Sequence, residues 1–597
     1  MNKNQKTNKQ QTIAVHQNKS KSLYLTLIFL VPFCLYLKTT SFKFVNFDDD
    51  QLINGNIGFL SNLSNAPQVF LKEAFVDREG NFYRPMQTLS YMLDIKLADG
   101  NKPGMFHFTN LLLMSLIGCL LFIFLTRLKV LAKPALLATL VYCVHPLFVS
   151  SVAWIPSRGD LLLTLFSLAA FLSLIKFLSN ANALHLVAHL SFFILALFCK
   201  ETAAALPMIF CFYFIAFHKN EERNAMHYTA LAVYILSVIG WFVIRSKAIG
   251  HNAGADDIVG FSALRANLQV IPAALAQFVF PFGIEEFPTF SISKTSMGVF
   301  AIAIMLFVFI KNVAQTKREL AFGLAWFFIL MIPALFFRNT QIDYLNHRFL
   351  LPLIGVLIFI LFAIPKKLLE SIGLKTQVVV TGLVAIFMIM SLGRMQNYAD
   401  PIKFYTAATS GDSRSPLAFY NMGNTMKNST FNYPAAIKNY SRAIELKPDY
   451  PEAYNNRGNA YIQQRSYENA INDFTKAIEY KPDFADAYYD RGIAYKNAGL
   501  FDKAISDYAK TIELDPGYYR AYNNRGFIYF STEDYDKAIA DYTKAVELNP
   551  EYARGFHNRA NAYLKKGDTD KACQDFEKAG QLGAGEAYES MARYCKK

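Results

Sequence analysis

Runs of roughly 20 apolar residues recur through the first two-thirds of the chain, and no other feature constrains its fold as strongly. A hydrocarbon core about 30 Å thick is spanned by about 20 mostly apolar helical residues. Segments near 22–40, 106–126, 135–153, 160–178, 184–199, 202–217, 228–245, 297–311, 320–337, 349–364 and 376–393 fit that template, about eleven in all. Of the 597 residues 53% are hydrophobic and only 18% charged, which excludes an ordinary soluble globule. The net charge of +14 would suggest a nucleic-acid partner in a soluble chain. Here Lys and Arg flank the apolar runs, so topology explains the charge and no nucleic acid is expected. Five of the seven cysteines lie in apolar runs, where Cys behaves as a small hydrophobe, and no Cys/His spacing suggests zinc.

Charge sets the expected topology. Lys3, Lys6, Lys9, Lys19 and Lys21 precede the first run, and no small-residue cleavage site follows it. Residues 1–21 therefore read as a cytoplasmic tail and 22–40 as an uncleaved span. The loops with Arg127, Lys129 and Lys133, and with His218 through Arg223, then fall inside. Lys311, Lys317, Arg318, Lys366 and Lys367 join them only if the apolar stretch 263–283 does not cross, so it reads as a re-entrant or surface-lying helix. Segments 41–105, 154–159, 246–296 and 338–348 and the turn at Lys200-Glu201 lie outside, as does the C-terminal third, on a multi-pass inner (cell) membrane protein.

That last third has a period. Pro448, Pro482, Pro516 and Pro550 are each 34 residues apart. Tyr454, Tyr488, Tyr522 and Phe556 keep the same spacing, as do Gly458, Gly492, Gly526 and Ala560, and Ala470, Ala504, Ala538 and Ala572. These are the aromatic, small, small and proline positions of the tetratricopeptide repeat, a helix pair that stacks into a solenoid. The expected fold is all-α: a polytopic helix bundle over 22–395, a linker 396–415, and about five repeats plus a capping helix over 416–597. Asn421, Asn456, Asp490, Asn524 and Asn558 occupy one further column. Amides in a ladder offer a donor and an acceptor to any extended peptide, and they resemble the asparagine ladder of the O-GlcNAc transferase superhelix; consensus repeat chemistry is the competing reading. Arg457, Arg491, Arg525 and Arg559 run parallel to Asp473, Asp507, Asp541 and Asp575, which reads as structural pairing.

The outer segments hold the polar residues that suit chemistry. Asp48, Asp49 and Asp50 follow the first span; carboxylates there suit a base toward a hydroxyl, or a metal ligand. Further on come Tyr83-Arg84-Pro85, Phe106-His107-Phe108-Thr109-Asn110, His145-Pro146, Ser157-Arg158-Gly159-Asp160 and Lys200-Glu201. Ionisable groups at membrane depth cost about 3 kcal/mol or more at the centre and mark function by default.

The order FDDDQLINGN, YRPMQTLSYMLD, GMFHFTNLLL, VHPLFVSSVAWIPSRGDLL and CKETAAALP, with DYLNHRFLLPLIG later, resembles the transmembrane and tetratricopeptide-repeat O-mannosyltransferases and their bacterial relatives of the GT-C membrane glycosyltransferase fold. In that family the His-Pro motif is followed by a further His and Glu, where this chain has Phe148 and Ser151. The resemblance implies sugar transfer, of a mannose-like hexose, from a polyprenyl-phosphate carrier to an acceptor hydroxyl, a protein Ser or Thr, outside the cytoplasm. It implies Asp48 as base with Asp49 its partner. Arg84, Arg158, Lys200, His145 and Arg348 would meet the donor phosphate, and Asn421, Asn456, Asn524 and Asn558 the protein acceptor. The residues require no metal, though a divalent ion is compatible with them. A non-enzymatic envelope scaffold and a lipid-linked oligosaccharide ligase are the alternatives.

Overall fold

A computed structural model describes residues 3–45, 48–74, 82–217, 225–249, 257–259, 261–288, 290–311, 316–339, 345–410 and 413–595. The loop His218–Arg223, Phe47 and the Asp343-Tyr344 pair lie outside the described residues. The chain divides into two compact units, Met1–Ser415 and Pro416–Lys597.

Each of the apolar runs of the first unit is helical. Among the described residues seven helices are long and apolar enough to cross a membrane: Ser20–Ser41, Pro103–Arg127, Ile155–Asn180, Thr229–Ile249, Ile292–Lys311, Lys317–Leu335 and Leu374–Tyr398. The pair Ala132–Cys143 and Pro146–Ala153 makes an eighth, bent by 48°. The bend falls where Pro146 withdraws a backbone donor that the helix needs to continue. Ala183–Leu197, Glu201–Phe217 and Leu353–Ala363 are apolar but shorter. The stretch 263–283 forms two helices, Phe261–Asn267 and Val270–Val279, of 7 and 10 residues. At 1.5 Å per residue neither reaches across a bilayer. Beside them a pair of three-residue strands, Asp257–Val259 and Phe337–Asn339, is antiparallel, with Ile258 opposite Arg338.

Two kinds of contact hold the bundle. Phe124, Phe171, Phe210, Phe322 and Trp326 form a chain of ring contacts, with centroids 4.8–6.0 Å apart. Gly323 and Gly355 let their helices touch by backbone: a Cβ at Gly323 would sit 2.7 Å from the Gly355 carbonyl oxygen. Small residues serve this purpose between membrane helices, where dispersion replaces the hydrophobic effect.

The stretch read as a linker, 396–415, is instead folded against the first unit. Tyr398, Phe404 and Tyr405 are buried. The Tyr398 hydroxyl donates to the Glu286 carboxylate, which also pairs with Arg394 at 2.6 Å. Phe404 lies against Trp154, 6.5 Å between centroids. Aromatic rings and a buried carboxylate set that packing; the composition of the segment does not announce it.

The second unit is five helix pairs and a closing helix. They run Pro416–Ser429 with Tyr433–Leu446, Pro451–Gln463 with Tyr467–Tyr480, Ala485–Asn497 with Phe501–Leu514, Tyr519–Ser531 with Tyr535–Leu548, and Ala553–Lys566 with Thr569–Gln581. Gly585–Tyr594 caps them, tied back by a Cys573–Cys595 disulfide. Within a pair the small column admits a ring: at Gly492 a Cβ would stand 2.6 Å from the Tyr508 ring.

Candidate active site

Asp48, Asp49 and Asp50 form the first turn of a short helix, Asp48–Leu52, where the unpaired N–H groups favour negative charge. The three then diverge. Asp50 is exposed and accepts from Asn54 at 2.7 Å. Asp49 is 1% exposed; its Oδ2 accepts the Val45 N–H at 2.8 Å, and its Oδ1 has no hydrogen-bond partner. Asp48 is half-buried. Burial pushes the Asp48 carboxyl up to about 6, against the pull of Arg84 and Arg348. Burial pushes Asp49 up to about 7, opposed by the Val45 hydrogen bond and reinforced by Asp48 and Asp50. A carboxylate held near neutrality suits a general base.

The two arginines that act on Asp48 line a cleft together with Lys200, Glu201 and Arg245. It encloses about 650 Å³ including its open mouth. Arg84 stands immediately before the Pro85–Ala98 helix, its guanidinium 4.6 Å from the Phe82 ring. Arg348 lies in the Asn346–Phe349 turn that enters the helix Leu353–Ala363. Both carry a buried Nε with no hydrogen-bond partner. Among the described residues neither guanidinium makes an ion pair within 4.0 Å. Lys200 is different: its Nζ donates to both Asp160 oxygens at 2.7 Å. His347 Nε2 is 3.6 Å from the same carboxylate. Burial holds the Lys200 ammonium down to about 8, while Asp160 pulls it back up. Lys200 is thus fixed in place, whereas Arg84 and Arg348 make no direct ion pair among the described residues and meet Asp48 and Glu201 only at longer range.

Two residues expected at this site are elsewhere occupied. Arg158 is fully buried. Its NH1 pairs with Asp94 at 2.5 Å, its Nε donates to Asn110 Oδ1 at 2.8 Å and its NH2 to the Phe106 carbonyl at 2.6 Å. The Tyr91 ring lies 4.7 Å beneath. Arg158 is therefore the tie that locks three helices, with its charge neutralised by Asp94. His145 serves the helix break: Nδ1 accepts the Leu147 N–H at 3.1 Å, and Nε2 donates to the Phe278 carbonyl at 3.0 Å. Both ring nitrogens are engaged by backbone groups, the Leu147 N–H at the bend and the Phe278 carbonyl near the end of the Val270–Val279 helix, so His145 has none for a phosphate. Arg245 is the cleft residue that motif reading overlooked. A signal existed, since an Arg ending an apolar run on the outer side runs against the positive-inside bias. Among the described residues no three His, Cys, Asp or Glu side chains cluster as metal ligands would.

In the repeat unit the Arg and Asp columns pair as their shared period implies. Arg457, Arg491, Arg525 and Arg559 each fork the Asp 16 residues on, at 2.7–2.9 Å. The remaining nitrogen reaches back to the preceding repeat: Arg457 to Ser441, Arg491 to Thr475 and Arg559 to Thr543. For Arg525 that place holds Ala509, which has no acceptor. The amide column is a correction. Asn456 donates to Tyr420 and Asn424, Asn524 to Tyr489, and Asn558 to Asn523. Each partner belongs to the repeat before, so these amides stitch repeats together. Asn421 opens the array with no earlier repeat to bond, and its Nδ2 has no partner.

Comparison with known proteins agrees with the motifs. Residues 485–518, 519–552 and 541–574 match the family "Tetratricopeptide repeat", and 432–465 and 458–499 the family "TPR repeat". Protein O-mannosyl-transferase TMTC3 of Mus musculus is 28% identical over 32% of this chain and 21% of its own length. Protein O-mannosyl-transferase TMTC4 of Homo sapiens is 26% identical over 60% of this chain and 57% of its own. The chain thus spans between about a fifth and just over half of these curated relatives. Among solved structures, MamA is 28% identical over 29% of this chain and 98% of its own, with a TM-score of 0.26. The relatives support the resemblance to the transmembrane and tetratricopeptide-repeat O-mannosyltransferases, and with the apolar helices they support a multi-pass membrane protein.

Proposed function

We propose that the first unit moves a sugar, a mannose-like hexose, from a polyprenyl-phosphate carrier to the hydroxyl of a protein Ser or Thr on the extracytoplasmic side. The observation that carries this reading is the cleft lined by Arg84, Lys200, Arg245 and Arg348, in which the buried Nε atoms of Arg84 and Arg348 lack partners, with Asp48 within electrostatic reach of both. Asp48 takes the proton of the acceptor hydroxyl. The oxygen attacks the anomeric carbon, and the bond from that carbon to the phosphate oxygen breaks with inversion. The leaving lipid phosphate gains negative charge as it departs. Arg84 and Arg348 meet that charge in a partly desolvated cleft, where fixed cations act most strongly on a transition state. Lys200, paired with Asp160, and Arg245 line the same cleft.

The repeat unit is the place for the protein acceptor; the Asn421 Nδ2, buried and without a hydrogen-bond partner, does not face an incoming peptide. The Cys573–Cys595 disulfide supports an extracytoplasmic repeat unit, since such bonds persist in oxidising compartments. The distribution of Lys311, Lys317, Arg318, Lys366 and Lys367 supports the same orientation. The test is transfer by the purified full chain in nanodiscs, from radiolabelled mannosyl polyprenyl phosphate to a Ser/Thr peptide. Wild-type protein that transfers nothing, or Asp48→Asn protein that transfers as well as wild type, defeats the reading.

A further inference from the structure

The inner surface of the repeat unit carries charge that the mechanism does not use. First helices of successive repeats lie closer to one another than second helices do, so the solenoid curves with its first helices on the inner side. One column on those helices changes sign along the array. Glu452 and Asp486 are followed, at the same interval of 34 residues, by Arg520 and Arg554. Phe527 lies seven residues beyond Arg520 on the Tyr519–Ser531 helix, and so on the same face. Its ring is 43% exposed. Lys496, near the end of the preceding first helix, Ala485–Asn497, places its Nζ 5.5 Å from that ring.

The two signs are treated differently. The acidic members are satisfied by the chain itself. Asp486 accepts the Tyr518 hydroxyl at 2.8 Å, and Asp490, one turn on, accepts from Asn455 at 3.0 Å and Asn459 at 2.6 Å. The basic members are not. Among the described residues none of Lys496, Arg520 and Arg554 makes an ion pair within 4.0 Å. Arg520 Nε donates to the neighbouring Tyr519 hydroxyl at 3.2 Å, a neutral partner. In the second helices, by contrast, Lys476, Lys510 and Lys544 each stand 2.5–3.4 Å from a Glu three residues on. The curvature also drives like charges together. Burial holds the Lys496 ammonium below its ordinary range, and Arg554, two repeats away in register, lowers it further. Two unpaired cations converging beside an exposed ring form a surface complementary to a carboxylate with an apolar neighbour.

We infer that the inner face of the third to fifth repeats binds an acidic segment of the protein acceptor, with a carboxylate between Lys496 and Arg554 and an apolar side chain on Phe527, so that the protein selects acidic acceptors. This rests on the protein acceptor proposed above. The Arg554 guanidinium offers a carboxylate two parallel N–H donors, and the Lys496 ammonium a point charge beside them. Arg520, one repeat earlier in the same column, meets a further carboxylate along the segment. The acidic half of the column, at Glu452 and Asp486, repels the same segment and fixes which end of the array it occupies.

The experiment titrates the full chain in phosphatidylcholine nanodiscs against a fluorescent Ser/Thr peptide rich in Asp and Phe, and against its twin with Asn in place of Asp. Anisotropy should show the acidic peptide binding about tenfold tighter, the worth of one charge-assisted contact. Lys496→Gln and Arg554→Gln should each remove most of that preference, and Arg554→Glu should reverse it. Phe527→Ala should weaken both peptides alike. Lys510→Gln, on a second helix, should change neither. Arg554 is exposed and Lys496 half-buried, and should one of the two variants unfold, the other and the peptide twin still decide. Equal affinity for the twins, or Gln variants that keep the wild-type preference, would overturn the inference. So would loss of the preference in phosphatidylglycerol nanodiscs, which would assign the patch to anionic lipid. Binding needs no turnover. A chain that prefers the acidic peptide but transfers no sugar would overturn the proposed activity and leave this surface standing, and one that transfers sugar to both twins with equal KM would do the reverse.

Discussion

The two units treat buried arginine in opposite ways. In the repeats each column arginine has a carboxylate fork in its own repeat, and its side chain is 16–20% exposed. In the outer cleft Arg84 and Arg348 each bury an Nε without a hydrogen-bond partner, and among the described residues neither is locked in an ion pair. Removing a charge from water is costly unless a partner offsets it, so a paired arginine is explained by the fold and an unpaired one is not. The cleft carries a cost that a bound anion would offset. Arg158 is the instructive intermediate: it lies in the membrane unit but is paired with Asp94 like a repeat arginine, and that pairing removes it from the site.

The contrast breaks most decisively at Asp48. Asp48→Asn should lower transfer by about 10³-fold, the middle of the range for a general base. It should not lower thermal stability at pH 7.5. The sign follows from a carboxyl raised to about 6: the protonated form favours the fold, and that stability is lost as pH rises through 6, so a neutral amide loses nothing there. A variant that unfolds would place Asp48 in the scaffold.

Arg84→Gln and Arg348→Gln should each lower kcat about 10²-fold, as for one lost donor to developing charge, with thermal midpoints unchanged or raised. Arg158→Gln should instead lower the midpoint, because Asp94 is left buried and alone. Equal destabilisation by all three would erase the distinction. In the repeats Arg491→Ala strands Asp507, and we expect about 2–3 kcal/mol of lost protection, the buried-pair value discounted for partial exposure, read by hydrogen exchange in the 485–514 helices.

The pH profile sharpens the same comparison. Asp48 must be ionised to accept a proton, so kcat/KM should be level above about 6 and fall below it, tenfold per unit. A profile flat from pH 5 to 8 would remove Asp48 as base. The smallest effect concerns Ala509, which breaks the Ser441, Thr475, Thr543 column. Ala509→Thr restores an acceptor for Arg525 and should stabilise by about 0.5–1 kcal/mol, one net hydrogen bond, measured as slower exchange in the 519–548 helices.

Spans, repeats and the Arg–Asp forks were legible in the sequence because each depends on local quantities. Apolar length decides what a bilayer can hold, and a 34-residue period forces equivalent residues into equivalent places. Asp48, Arg84, Lys200 and Arg348 were legible as outer-side polar residues. Which of them is locked in an ion pair and which is not was not. Arg158 meets Asp94 64 positions away along the chain, and Arg245 enters the cleft from the far end of a different helix. The amides of Asn456, Asn524 and Asn558 turn to the repeat before, a direction that column position does not encode. Hydrophobicity and periodicity accumulate along the chain, whereas charge compensation acts through space at a few ångströms. Only the tertiary structure decides which cation has a partner and which must find one in a ligand.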